Sequence, residues 1–235
     1  MKKNIKQVTV VSLLCSLLTI MTLPIPVLAQ EENSSNDTFV LISDQENEQY
    51  YLSEDELLKV EITDASGMQP RLQMNEAGEM TKSVTKDIKF YSTNVNEEEK
   101  EEILSDAKSG NLSKSNQGTN TMGNIRSTLT VRYSYMTAAG KRGLHLCKAT
   151  ASYERLSMEG VIVNSGELRY GAEGVIYVNG NFSRNGSITG SWNGKTFSNR
   201  QLMPEGTCVT DVMMAGTNYT LYCTRGVTVY VDVTF

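Results

Sequence analysis

The chain has 235 residues, with 22 basic and 27 acidic side chains, one histidine and four cysteines, and a net charge of −5. That length supports one domain with a substantial core or two small ones. The acidic balance argues against a general nucleic-acid binder and against attraction to anionic surfaces as the main function. The charge is also unevenly divided: Gln30 to Gly123 carries 20 acidic and 8 basic residues, whereas Asn124 to Phe235 carries 7 and 11.

Residues 1–29 have the layout of a signal peptide. Lys2, Lys3 and Lys6 give a positive start, Val8 to Ile20 is almost continuously apolar, and Val27 and Ala29 are compact residues flanking Leu28. Cleavage is expected between Ala29 and Gln30, which makes the product secreted or extracellular, with cell-surface association open. The apolar run is shorter than the ~20 residues of a membrane span, and no later stretch could make one, so no mature transmembrane segment is expected. An uncleaved anchor is the alternative. Cys15 leaves with the signal.

Residues 30–108 read as an acidic N-terminal segment with weak strands. Phe39 to Ile42 is an apolar run that suits an edge strand or a docking segment. Ser53 and Glu56 have capping-box spacing, which predicts a short helical turn before Gly67 and Pro70. The clearest helix lies near 97–108. Asn96 and Glu99 can cap it, Glu97 to Glu99 and Lys108 suit its dipole, and Gly110 can end it. Only Ile103, Leu104 and Ala107 give it an apolar side. The glutamate run lacks the spaced oxygen ligands of a calcium loop and reads as solvated helix surface.

Residues 109–124, rich in Ser, Asn, Gly and Thr, read as a flexible linker. An antiparallel β domain is expected over 125–235. Leu129, Val131, Tyr133 and Tyr135 alternate with polar residues, and Val227, Val229, Val231, Val233 and Phe235 form the strongest single-faced strand. Between Leu144 and Tyr153 the alternation is less clean, with Cys147, Ala149 and Ala151 on one side and Leu144 and Leu146 on the other. Gly140 to Gly143, Asn164-Ser165-Gly166 and Asn179-Gly180 read as turns. Glu159-Gly160-Val161-Ile162 and Glu173-Gly174-Val175-Ile176 look alike through shared hairpin grammar. The fold class is therefore mainly β, a β-sandwich-like C-terminal domain preceded by an acidic, partly helical or poorly ordered segment.

If Ala215-Gly216 is a two-residue hairpin loop, Cys208 falls opposite Cys223. Together with the exported setting, that predicts a Cys208–Cys223 disulfide. Pairings of Cys147 with either are rivals. Otherwise Cys147 is a buried free thiol or an intermolecular partner. No cysteine pair has structural-zinc spacing and His145 stands alone, so neither metal nor cofactor is expected.

No nucleophile-elbow or phosphate-loop pattern occurs, and His145 and Cys147, two apart on one strand, are poorly placed as a dyad. No catalytic residue can be named, and an enzyme is the less favoured reading. Binding is better supported. Trp192, Tyr170, Tyr177, Arg169, Arg184 and Arg225 could form a Tyr/Trp/Arg surface for an extracellular protein or a glycan. Cross-strand aromatic pairing is the competing structural explanation. The leading function is thus a secreted, non-enzymatic interaction or surface-associated β module. A small hydrolase using carboxylates among Glu154, Glu159, Glu167, Glu173 and Asp211 is one alternative, and a structural exported domain is another. The opposed charges further suggest an intramolecular contact between residues 30–123 and 124–235, with the acidic half as cover, propeptide or solubilising arm.

Overall fold

Leu129, Val131 and Tyr133 are buried while Arg132 is exposed, so the period-two pattern becomes a strand with one covered face. The computed structural model describes residues 39–235 apart from 46, 66–70, 76–77, 111, 113–119 and 158–159. The expected signal segment and the Ala29–Gln30 cleavage site lie outside them, as does half of the expected linker, residues 111 and 113–119. No helix among the described residues is long and apolar enough to cross a membrane.

The strands are β1 (Val40–Gln45), β2 (Glu48–Leu52), β3 (Glu56–Asp64), β4 (Arg71–Met74), β5 (Met80–Asn94), β6 (Asn120–Ala138), β7 (Lys141–Arg155), β8 (Val163–Val178), β9 (Asn181–Asn193), β10 (Phe197–Gln201), β11 (Thr207–Cys223) and β12 (Thr228–Thr234). One helix, α1 (Glu97–Ser109), joins β5 to β6. The strands form a single antiparallel sheet in the order β1-β2-β3-β5-β6-β7-β11-β8-β9, with β4 on β5, β10 on β7 and β12 on β11. The mainly-β expectation holds, and the sheet is a curled half-barrel, open at β1 and β9. Curling brings β12 back over the early strands: Tyr51 donates its hydroxyl to the Thr228 carbonyl at 3.0 Å, and the Phe39 amide donates to the Arg225 carbonyl at 3.1 Å. Val227, Val229, Val231 and Val233 thereby enter the same core as Leu58, Ile88 and Leu129.

The charge boundary is not a boundary of the sheet. β5, from the acidic half, pairs with β6 from Met80↔Tyr133 to Ser92↔Asn120. Across that seam Asp87 receives two bonds from Arg126, at 2.7 and 3.0 Å. Phe39 begins the lead into β1, an end strand, as one of its two sequence readings had it.

α1 has the expected construction. The Asn96 side chain accepts from the Glu99 amide, the Glu99 carboxylate accepts from the Asn96 amide, and Gly110 ends the helix at φ 73°. Ile103 anchors it in a second core with Tyr50, Leu52, Leu57 and Leu112. Leu104 remains 39% exposed. The Ser53–Glu56 pattern forms a hairpin turn between β2 and β3 instead of a helical start. The Glu56 amide donates to Ser53 Oγ at 3.2 Å and the Ser53 amide to the Glu56 carbonyl at 2.9 Å, which is how such a turn is closed.

Three other local expectations change. Ala139-Gly140, both at positive φ, make the β6–β7 turn, so Lys141 to Gly143 already lie in β7. Asn179-Gly180 is the β8–β9 turn as read from sequence. Asn164-Ser165-Gly166, however, lies within β8, where a Cβ on Gly166 would stand 2.8 Å from the Gly194 carbonyl and 3.1 Å from that of Thr220. This glycine permits close backbone approach and makes no turn. In β7 the register slips at Cys147, between Tyr133↔Leu146 and Arg132↔Lys148. That bulge puts Leu144 and Leu146, then Ala149 and Ala151, into one core.

The disulfide expectation is overturned. Ala215-Gly216 is not a loop, because β11 continues through it, paired with β8 on one side and β12 on the other. Cys208 pairs with Tyr177 and Cys223 with Val163, at opposite ends of a 17-residue strand. At about 3.3 Å per residue they stand several nanometres of strand apart, far beyond disulfide reach. Cys147, Cys208 and Cys223 are all free and buried.

Candidate functional site

The strands β12, β11, β8 and β9 lie side by side, and their registers align one face into rows. Residues alternate strictly along β12, where Val229, Val231 and Val233 turn inward and leave Tyr230 and Asp232 on the outside. Tyr230 stands opposite Thr220, Glu167 and Asn193 across the sheet, and Asp232 opposite Asn218, Arg169 and Ser191. Thr228, Tyr222 and Ser165 form a third row.

These side chains hold one another. Arg169 Nε lies 2.7 Å from Glu167 Oε1, and Tyr222 donates its hydroxyl to Glu167 Oε2 at 3.0 Å. Asn218 donates to Asp232 Oδ1 at 2.6 Å and accepts from Thr220 Oγ1 at 2.6 Å. Burial and the adjacent Glu167 carboxylate push the Tyr222 phenol above its ordinary range. The hydrogen bond to that carboxylate likewise raises Arg169, although partial burial opposes it. The face therefore carries a fixed charge pattern and hydroxyls already oriented, with Tyr230 40% exposed at its margin.

The six side chains singled out from sequence are distributed over different places. Tyr170 and Trp192 meet with ring centroids 5.6 Å apart and planes at 14°, on the inner side, and the Arg200 guanidinium lies 4.6 Å above the indole. Tyr170 is buried and Trp192 half-buried, so this stack chiefly ties β8, β9 and β10 together. Tyr177 meets Phe182 edge-on near the β8–β9 turn. Arg184 donates to the Ser187 carbonyl of its own strand at 3.0 Å. Arg225 is at the other end of the sheet, 2.8 Å from Glu56 and over the Phe39 ring. Only Arg169 belongs to the outer polar face. Asn218 and Thr220 escaped notice in the sequence, and Glu167 entered only as one of five scattered carboxylates, because cross-strand register, which a sequence does not display, brings them together with Tyr222.

A second feature is a bulge in β11. Between Thr210↔Val175 and Met214↔Glu173, three residues of β11 oppose Gly174 alone. Asp211 takes φ 49°, and a Cβ on Gly174 would stand 2.5 Å from the Thr210 carbonyl. Two of the displaced residues, Asp211 and Met213, line an open pocket of about 390 Å³ with Glu173, Gly174, Val175, Asn185 and Gly186. Glu173 and Asp211 share this rim, but Lys141 Nζ holds both Asp211 oxygens, at 3.0 and 2.7 Å.

His145 has a structural duty. Its Nδ1 lies 2.6 Å from the Thr207 carbonyl, which can only accept, so that nitrogen carries the proton and ties β7 to the start of β11. The Cys147 thiol is pushed up by burial and contacts Ser134 Oγ at 3.6 Å. Among the described residues no group of three or more His, Cys, Asp or Glu side chains is placed to hold a metal ion. No protein-family model, no curated protein and no solved structure matches this chain.

Proposed function

We propose that this is an exported, non-enzymatic interaction module that recognises a glycan through the outer face of β8, β9, β11 and β12. The observation that carries the reading is the preordered ladder Tyr222–Glu167–Arg169 beside Asp232–Asn218–Thr220. Sugar hydroxyls both donate and accept, and a surface whose carboxylates, amides and guanidinium are already oriented meets them with little loss of side-chain freedom. An extracellular protein is the less suitable partner, because protein hot spots centre on anchors in desolvated pockets, whereas here Tyr222 and Arg169 are both tied to Glu167 and Tyr230 stands at the margin. The signal-like residues 1–29 support export. The layering of β12 over the early strands supports a sandwich-like description of the C-terminal part.

The test is a glycan microarray probed with the labelled secreted chain and with Arg169→Ala and Asn218→Ala variants. The wild type is expected to retain a restricted set of sugars, and each variant to lose at least tenfold in signal while keeping its circular dichroism. Absence of wild-type retention, or full retention by both variants, contradicts the assignment.

A further inference from the structure

The sheet ends in an open strand. β9 pairs with β8 along its length, and among the described residues no strand pairs with its other side. It is 13 residues long and not one of its side chains is buried. Edges of that length are usually guarded by lysine, acidic residues, proline or brevity. Asn181 to Asn193 contains none of those residues and only one charge, Arg184. The opposite end of the sheet differs, since β1 has only six residues and carries Asp44.

We infer that β9 pairs antiparallel with β9 of a second copy of this chain, about a two-fold axis at Ile188. The ladder to β8 is uninterrupted from Arg184↔Ile176 to Asn193↔Glu167 and slips only on the Ser183 side of Arg184, which leaves two residue-centred windows, 184–192 about Ile188 and 185–193 about Thr189. The first sets Ile188 against itself, whereas the second would set Trp192 against Gly186, so side-chain size selects Ile188. An axis normal to the sheet keeps the two inner faces together. Ile188 then faces its own copy, Gly186 faces Gly190, Ser187 faces Thr189, Asn185 faces Ser191, and Arg184 faces Trp192.

The pairs nearest the axis match in size: Ile188 with itself, Gly186 with Gly190, Ser187 with Thr189 and Asn185 with Ser191. Arg184 falls opposite the partner's Trp192, whose indole already carries Tyr170 and Arg200, so it keeps its bond to the Ser187 carbonyl and the seam rests on the pairs between them. The half-buried Ile188 and Trp192 already pack against the main core, so the new seam continues it.

Nine paired residues extend about 30 Å. The area enclosed is on the order of 1,000 Å², near the lower bound for a specific interface, so the dimer forms with rising concentration and is not permanent. Pairing through β9 leaves β11 and β12 uncovered, and the proposed glycan face survives on both copies.

Sedimentation equilibrium of the secreted full-length chain tests this. The weight-average mass should rise from one chain toward two as concentration increases. Ile188→Lys should weaken association at least tenfold, and Tyr230→Ala, on the remote side of the sheet, should leave it unchanged. Since Ile188→Lys could disturb the fold, Ile188→Cys supplies a gain of signal. Under mild oxidation it should give a covalent dimer whose peptide map contains a 188–188 bridge. A chain that stays monomeric at every concentration, or an oxidised variant without that bridge, overturns the proposal.

Discussion

Cys223, 4% exposed at the end of β11, has its thiol pushed up to about 12 from an ordinary 9 by burial. Tyr51 rises to about 12 from 10, burial again being the largest cause. Both groups stay neutral in the folded chain over a range where the unfolded chain ionises. The unfolded state then binds fewer protons, so stability falls as pH rises from about 9 toward 12. Each group contributes a slope of up to about 1.4 kcal/mol per pH unit in its own part of that window. Below about pH 8 neither contributes an appreciable slope. Urea unfolding midpoints should therefore be flat from neutral pH to about 8 and fall above it, and a midpoint that rises there would refute the assignment. The same burial predicts that Cys147, Cys208 and Cys223 resist iodoacetamide at neutral pH until the chain is unfolded, when all three react. Recovery of a Cys208–Cys223 peptide under non-reducing conditions would contradict β11 as one strand.

Helix α1 docks chiefly through one large side chain, with Ala107 packed beside it. Its caps satisfy its ends, but holding 13 residues in helical conformation costs far more entropy than caps recover, so docking must stabilise it. Ile103 is 3% exposed among Tyr50, Leu52 and Leu57, whereas Leu104 faces largely outward. Ile103→Ala should cost about 2–4 kcal/mol in chemical unfolding, and Leu104→Ala less than about 1 kcal/mol. Equal losses would mean that the helix docks through a different side. α1 was legible in the sequence because its caps are local chemistry: Asn96, Glu99 and Gly110 lie within the segment they terminate. β12 was legible through uninterrupted alternation. β11 was not, because Ala215-Gly216 resembles a turn, while the structure places Gly216 where a Cβ would stand 3.1 Å from the Val233 carbonyl. A small residue required by a neighbouring strand looks the same in sequence as one required by a turn. The Cys147 bulge was hidden for a related reason, since a slip of one residue changes the face of every side chain beyond it. The outer polar face was the least legible feature, being assembled from four strands through their registers.

At the scale of the whole molecule, the contrast between an acidic and a basic half becomes a seam inside one sheet. The Asp87–Arg126 ion pair and the long β5–β6 ladder join the halves, while β12 packs its valines against strands from both. Closing β12 over β2, with Tyr51 bonded at Thr228, leaves β9 as the long open edge and the β8–β11–β12 surface as the broad polar face. The proposed recognition by that face and the proposed association through that edge both require this continuous sheet. The most direct test is hydrogen exchange resolved to single amides in the full-length chain. The sheet predicts that paired amides of β5, β6, β8 and β11 exchange together at the slowest rate, without a fast break at Ala215-Gly216, while alternate amides of β9 exchange quickly at low concentration. Rapid exchange throughout β5, or a fast-exchanging loop at Ala215-Gly216, would contradict it.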